Sequence, residues 1–457
     1  MEIKVSIIIP VLNSIKYIDE CINSVLNQSL QEIEILMVDG GSTDGTLQKL
    51  YEYEKKDPRC KVLHSKLKSC GYQNNFGLKN AIGEYIAFVE SDDVVLQSMY
   101  EELWNKAKKY DLDYVKGDFE TFYYLQNNEK ILEPLRSMPK DFYGNIINSF
   151  DYPQLLICDI YLWKGIYKRT FLIENAIWQN ETPGAAFQDV GFAFQSISCG
   201  RRVMYVDKAY YHYRRDNQSS SVYNVNGYVF LKNEFLFLEH LFENKTDFSK
   251  FWPFFYRRLS DMVQTRDKVM VFSEEKWVDV LESLEQIGKI FWRGIKAGRV
   301  QEKDFGEQRY MEIIMLCKDP EFYLRSIVFK HTLKKEMWNT LLNQCQKHKH
   351  TILFGCSITN RRLFAVLERN GIVVDAFCDN EEEKWGTKSC GIPVLQPEAV
   401  LKQYEDAVFL IPKKYERAMC DQLTGLGVQI QQMIVNDIGL DIATAFVYHY
   451  NKKKSYL

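Results

Sequence analysis

A chain of 457 residues exceeds what one hydrophobic core usually spans, so two or three domains are expected. Its composition, 46% hydrophobic and 26% charged, is globular, and a net charge of −3 argues against nucleic acid as the main partner, which needs a strongly cationic face. Eleven cysteines without a CxxC pair exclude a disulfide scaffold and a clustered zinc site, and fit a reducing compartment. The first apolar run is cut by Pro10 and Asn13, and 18 consecutive apolar residues occur nowhere. The reading is therefore cytoplasmic, with room for a peripheral contact on the inner face of the cell membrane.

Residues 5–10 (VSIIIP) are β-branched and almost wholly apolar, which predicts a strand covered on both faces. Asn13 or Ser14 is placed to cap a helix whose Ile18, Ile22, Val25 and Leu26 share one face. Further strands are predicted at 34–38, 61–64 and 84–89, separated by helices, and the alternation implies an α/β domain with a largely parallel sheet. Between 121 and 225 the pattern loosens. Helical periodicity returns at 226–345, with buried faces predicted in 235–242 (FLFLEHLF) and 312–317 (EIIMLC). From 346 to 440 a second, smaller Rossmann-like α/β unit is expected, with strands at 351–355, 373–378 and 407–411 and helices at 361–370 and 398–404.

Ligands of open α/β sheets bind beyond the carboxyl ends of the strands. Here those ends carry Asn13, Asp39 and the run Glu90-Ser91-Asp92-Asp93. Carboxylates crowded at a strand end repel one another unless a cation neutralises them. A hard divalent ion such as Mg²⁺ or Mn²⁺ takes one or two carboxylates and completes its shell with phosphates, so this run suits a metal–diphosphate clamp. The competing reading of Asp92 or Asp93 as a plain helix cap loses weight because three polar loops converge on one edge.

The segments VSIIIPVLN (5–13), ILMVDGGSTDGT (35–46) and NNFGLKNAIGEYIAFVESDD (74–93) resemble the N-terminal blocks of family 2 glycosyltransferases of the GT-A fold. The resemblance implies an inverting, metal-dependent transfer of a sugar from a nucleoside diphosphate donor, usually a UDP-sugar. It implies that Pro10, Val11 and Asn13 surround the nucleoside, that Asp39 hydrogen-bonds the base, that Asn75 belongs to the nucleotide side, that Asp92 approaches the ribose or donor sugar and that Asp93 ligates the metal. The chain departs from the pattern at Gly40, where a second Asp is common, at Glu90, in place of the first Asp of a DSDD block, and at Asn74, where an Arg is frequent. Lys66 or Lys68 is the candidate compensation for that Arg.

Glycosyl transfer also needs a base for the acceptor hydroxyl. Asp189, in 186–192 (AFQDVGF), resembles the acid of the family's E-D-x-x-F block, with Gln188 as a neutral sugar-bonding neighbour and Glu181 as a second candidate base. The stretch 210–215 (YYHYRR), followed by 218–221 (QSSS), resembles the segment that closes these domains. His212 is a candidate metal ligand there, and Arg214 a candidate diphosphate or acceptor contact.

The turn after 351–355 lacks the second and third glycines of a dinucleotide fingerprint, so an assembly role is expected for the C-terminal unit rather than an oxidoreductase centre. The aromatic and basic run 251–258 (FWPFFYRR) suits either helix packing or a membrane interface near a lipid-linked acceptor. The expected partners are a nucleotide-sugar donor and a cell-surface glycan or lipid-linked acceptor, and a homo-oligomer is compatible with the sequence. The rival reading is a catalytically silent nucleotide-sugar binding module.

Overall fold

The computed structural model describes residues 2–125, 129–217, 226–243, 246–270 and 277–436. The first sheet contains β1 (Val5–Val11), β2 (Ile33–Asp39), β3 (Cys60–His64), β4 (Tyr85–Phe88), β5 (Val94–Val95), β6 (Tyr114–Tyr124), β7 (Lys130–Leu135), β8 (Ile146–Ile147), β9 (Gly165–Lys168) and β10 (Val203–Arg214). Their path is β3-β2-β1-β4-β9-β6-β10-β5, with β7 on β6 and β8 on β10. Strands β1 to β4 run parallel to one another, whereas β9 is antiparallel to both β4 and β6 and turns the sheet mixed. Helices α1 (Ile18–Leu26), α2 (Thr46–Lys56), α3 (Cys70–Asn80), α4 (Met99–Tyr110), α5 (Leu155–Cys158), α6 (Arg169–Glu174) and α7 (Gln188–Cys199) accompany it.

Each predicted N-terminal strand is present, and every residue of β1 is buried, as an all-apolar strand between two helical layers requires. The capping expectation is corrected: Tyr17 precedes α1, and the Ser14 carbonyl, not a side chain, accepts from the amides of Tyr17 and Ile18. The long strand β6 went unread in sequence because polar residues within it, Lys116 and Asp118 among them, are buried and blur the alternation.

The helical region comprises α8 (Gly227–Glu243), α9 (Trp252–Met270), α10 (Trp277–Lys296), α11 (Glu302–Phe305), α12 (Glu307–Lys318) and α13 (Pro320–Lys347). It shares one continuous apolar core with the first sheet, through edge contacts of Phe194 on α7 with Phe235 and Phe255. Phe251, Trp252, Phe255 and Tyr256 lie inside that core, so the aromatic run is helix packing and not a membrane face. Among the described residues, no helix is long and apolar enough to cross a membrane. All eleven cysteines are unpaired.

The second sheet is built from β11 (His350–Phe354), β12 (Ala376–Cys378), β13 (Lys388–Ser389), β14 (Ile392–Leu395), β15 (Ala407–Pro412) and β16 (Met433–Asn436), in the order β13-β14-β12-β11-β15-β16. It is parallel except for β13, and α14 (Ile358–Arg369), α15 (Pro397–Gln403) and α16 (Glu416–Gly425) complete the unit. Its apolar cluster takes in Tyr123, Leu125 and Ile131 from the β6–β7 hairpin of the first sheet. At that junction the Arg362 guanidinium grips the buried Glu133 carboxylate, with Nε 3.0 Å from Oε2. Removing one partner of a buried pair strands the other charge. Arg362→Ala is therefore expected to destabilise the protein by about 3 kcal/mol in urea titrations. The double replacement Glu133→Leu with Arg362→Leu should cost much less, since neither charge is left alone.

Candidate active site

Strands β1, β2 and β4 lie side by side, and their carboxyl ends open on one edge of the sheet. The loops that follow are bonded to each other. Asn13, in a left-handed conformation with φ 52°, donates its amide to Ser42 Oγ at 2.9 Å and accepts the Thr43 amide at 2.8 Å. The Ser14 and Ser91 hydroxyls meet at 2.6 Å, tying the first loop to the acidic turn. Asp39 is buried and accepts from the amides of Gly41 and Ser42, which fixes its carboxylate as the anchor of the second loop. Pro10 and Val11 are buried strand residues whose backbone lines the same edge.

Gln73 on α3 is a residue that sequence reasoning missed. Its amide donates to the carbonyls of Val11 at 2.9 Å and Val38 at 2.6 Å, stitching the ends of β1 and β2 together. This accounts for Gly40, since a Cβ there would stand 3.1 Å from Gln73 Nε2. The unusual glycine was the signal in the sequence.

In the acidic turn the three carboxylates have different environments. Asp93 is buried, and each of its oxygens is held: Tyr211 donates its hydroxyl to Oδ2 and Arg214 its amide to Oδ1, both at 2.7 Å. Asp92 is half-buried and accepts from Asn217 at 2.6 Å, while Glu90 is half-buried at the end of β4. Burial pushes the Glu90 carboxyl up to about 8, helped by the charges of Asp92 and Asp189, and burial also raises Asp92 and Asp93.

Among the described residues, no group of three His, Cys, Asp or Glu side chains is placed to hold a metal. A divalent ion shared with a diphosphate needs only one or two protein carboxylates, and Glu90 with Asp92 supply those. Burial disfavours their negative charge, and a cation relieves that cost, so the donor set fits Mg²⁺ or Mn²⁺.

The segment before α7 and the first turn of α7 form the candidate acceptor side. Asp189 is half-buried there, accepts from the Val190 amide at 2.9 Å, and is pushed up to about 6 by burial. Its charge raises both Glu90 and Cys70, which lie within electrostatic reach of it. Gln188 is buried and reaches back toward Thr182 and Gly184, bracing the loop from inside rather than presenting its amide to a sugar.

Three further candidates are engaged by protein partners. Asn75 is spent on the acceptor segment: it donates to the Gln179 carbonyl and to Glu181 Oε1, each at 2.9 Å, and accepts the Gln179 amide. Glu181 is thereby anchored to α3. His212 pairs with Glu120 on β6 at 3.0 Å, and its ring packs on Phe122, instead of joining the acidic turn. The Arg214 guanidinium is ion-paired with Glu20 and Asp216, donates to the Asp92 carbonyl and lies over the Tyr17 and Phe122 rings, which commits it to bracing the turn. Lys68 is exposed, its Cε 3.7 Å from where a Gly41 Cβ would be, and so overhangs the Asp39 loop. Residues 218–221 lie outside the described residues.

The mixed sheet with a site at the parallel strand ends defines a GT-A-like α/β domain, and comparison with known proteins agrees. Residues 6–160 match the family model for Glycosyl transferase family 2. The N-terminal region of the chain is a glycosyl transferase family 2 domain. It is 30% identical over 222 residues to the uncharacterized glycosyltransferase EpsJ of Bacillus subtilis, covering 47% of this chain and 62% of that protein. It is 29% identical over 229 residues to the cholesterol galactosyltransferase of Borreliella burgdorferi, covering 48% and 63%. The chain thus spans less than two thirds of either relative. The crystal structure of S. aureus TarS 1–349 in complex with UDP-GlcNAc shares the fold, with a TM-score of 0.52, 20% identity, and 72% of this chain and 92% of that chain covered.

The raised carboxyls fix the sign of a pH effect. A carboxyl whose folded pKa exceeds its unfolded value contributes stability at low pH that is lost as pH rises through the folded value. With Glu90 near 8 and Asp189 near 6, the ligand-free protein should gain thermal stability as pH falls from about 8.5 to about 6. Glu90→Gln should flatten the upper part of that slope in a thermal-shift series.

Proposed function

We propose that the chain is an inverting, divalent-metal-dependent glycosyltransferase that moves a sugar from a nucleoside diphosphate donor to a hydroxyl of a cell-surface glycan or its lipid-linked precursor. A UDP-sugar is the donor class favoured, since the S. aureus TarS fragment of the same fold was crystallised with UDP-GlcNAc. The observation that carries the reading is the opposition of a carboxyl pushed up to about 6, Asp189, to a half-buried acidic turn at the open edge of the sheet.

In this reading the loop that Asp39 anchors receives the nucleoside together with Asn13, and Lys68 reaches over that loop toward the diphosphate. Asp92, aided by Glu90, holds the metal, and the ligand role moves away from Asp93, whose two oxygens are already taken inside the protein. A divalent ion held by these carboxylates would supply neutralisation of the charge on the departing diphosphate. Asp189 takes the proton of the acceptor hydroxyl as its oxygen bonds to the anomeric carbon, while the bond from that carbon to the diphosphate oxygen breaks. A single displacement on the face opposite the leaving group inverts the anomeric configuration. Among the described residues Asp189 is the base best placed for this step, with Glu181 held to α3 by Asn75. The inner face of the membrane is the proposed place of work.

Nucleotide release from a panel of UDP-, GDP- and CMP-sugars with Mn²⁺ tests the reading. The wild type should turn over one of them, with a rate that falls as pH drops below about 6, because a protonated Asp189 cannot accept a proton. Asp189→Asn should lower turnover at least about 100-fold while leaving nucleotide affinity intact, and Asp92→Asn should weaken the metal dependence. A wild type that binds a nucleotide sugar and never turns it over is the silent module, and thermal stabilisation by NAD(P) alone overturns both readings.

A further inference from the structure

The helical region sends one acidic side chain into the acceptor side of the site. Glu234, on α8, is buried, and its Oε2 accepts from Asn180 Nδ2 at 3.1 Å. Its Oε1 lies on the Gly191 backbone, so close that a Cβ at residue 191 would fall 1.9 Å away. Both contacts bear on the acceptor side. Asn180 belongs to the segment before α7, and its carbonyl is itself pressed against α3, 2.0 Å from where a Gly71 Cβ would stand. Gly191 is two residues beyond Asp189 in the first turn of α7. That turn has no side-chain cap of its own, because Phe187 stands at its start with φ 70° and offers no acceptor.

We propose that Glu234 is a positioning residue of the acceptor site, locking the segment around Asn180 to the turn that carries Asp189 and shielding that turn from water. The inference rests on the glycosyltransferase reading. Burial drives the Glu234 carboxyl up to about 8, with the Asp189 charge adding to it, so near neutral pH it is predominantly the neutral acid. In that form it packs beside Asp189 without adding a charge. The groups that face Asp189 are then Glu90 from the acidic turn, Cys70 from α3, Glu234 from α8 and Arg258 from α9, of which the guanidinium alone favours the ionised carboxylate.

The test uses the full chain with Mn²⁺ and UDP-GlcNAc, or the faster sugar of the panel above, and follows nucleotide release against pH. Glu234→Ala lets water reach Asp189, so turnover should drop about tenfold and the acid limb should move about one pH unit down. Gly191→Ala, which forces Glu234 aside without altering it, should reproduce both effects. Glu234→Gln, the uncharged isostere, should restore rate and limb to the wild-type values. Thermal melts confirm that each variant is folded. A Glu234→Ala protein with a lower melting temperature but an unmoved limb and wild-type turnover overturns the proposal and reduces Glu234 to packing. A wild type that releases no nucleotide at all instead sinks the functional reading itself.

Discussion

The candidate site hangs on one buried carboxylate. Asp93 has no access to solvent and survives as a polar group in the core because Tyr211 and the Arg214 amide satisfy its oxygens. That clamp joins the turn after β4 to the far strand β10, which the chain reaches some 120 residues later. Trp163 stacks on Tyr211 with ring centroids 4.2 Å apart, so the donor hydroxyl is itself held. With Asp93 pinned, the backbone of the turn is fixed, and Glu90 and Asp92 are left at the edge as the carboxylates that a ligand can meet. The last residue of the motif is thus a tether, and its neighbours are the candidates for the chemistry.

Two other parts of the chain are tied to the same edge. The helical region shares its core with the first sheet, and its Glu234 accepts from Asn180 in the segment that leads to Asp189, so the region is packed against the candidate site and is not a spacer. The C-terminal unit reaches the donor side by way of the β6–β7 hairpin. Tyr123 packs into the apolar cluster of the second sheet, whereas the amide of the next residue, Tyr124, donates to Asp216, an ion-pair partner of Arg214. A strand places successive side chains on opposite faces, so one hairpin serves both units.

Much of this was legible in the sequence, and the failures have physical causes. The parallel strands β1, β2 and β4 are short apolar runs bounded by turns, a pattern that periodicity reads well. The site edge followed from where polar residues stop those runs. Roles were harder, because a residue type says what a side chain can bond and not what lies beside it. Asn75, His212 and Arg214 carry groups suited to a ligand, and each is engaged by a protein partner distant in sequence, whereas Gln188 turns back to its own loop. Gln73 and Glu234 were missed for the opposite reason. Both sit in helical stretches where a polar residue reads as surface, and only the tertiary fold buries them.

The close packing of Gly40 against Gln73 also bears on how such a domain can change over time. A second acid after Asp39 would need the space that the glutamine amide occupies between the ends of β1 and β2. The two positions therefore pack as a pair, and a side chain at 40 would require the Gln73 amide to give by a few tenths of an ångström. The departure at Gly40 is accordingly one half of an alternative solution to holding two strand ends together, and says nothing of a site in decay.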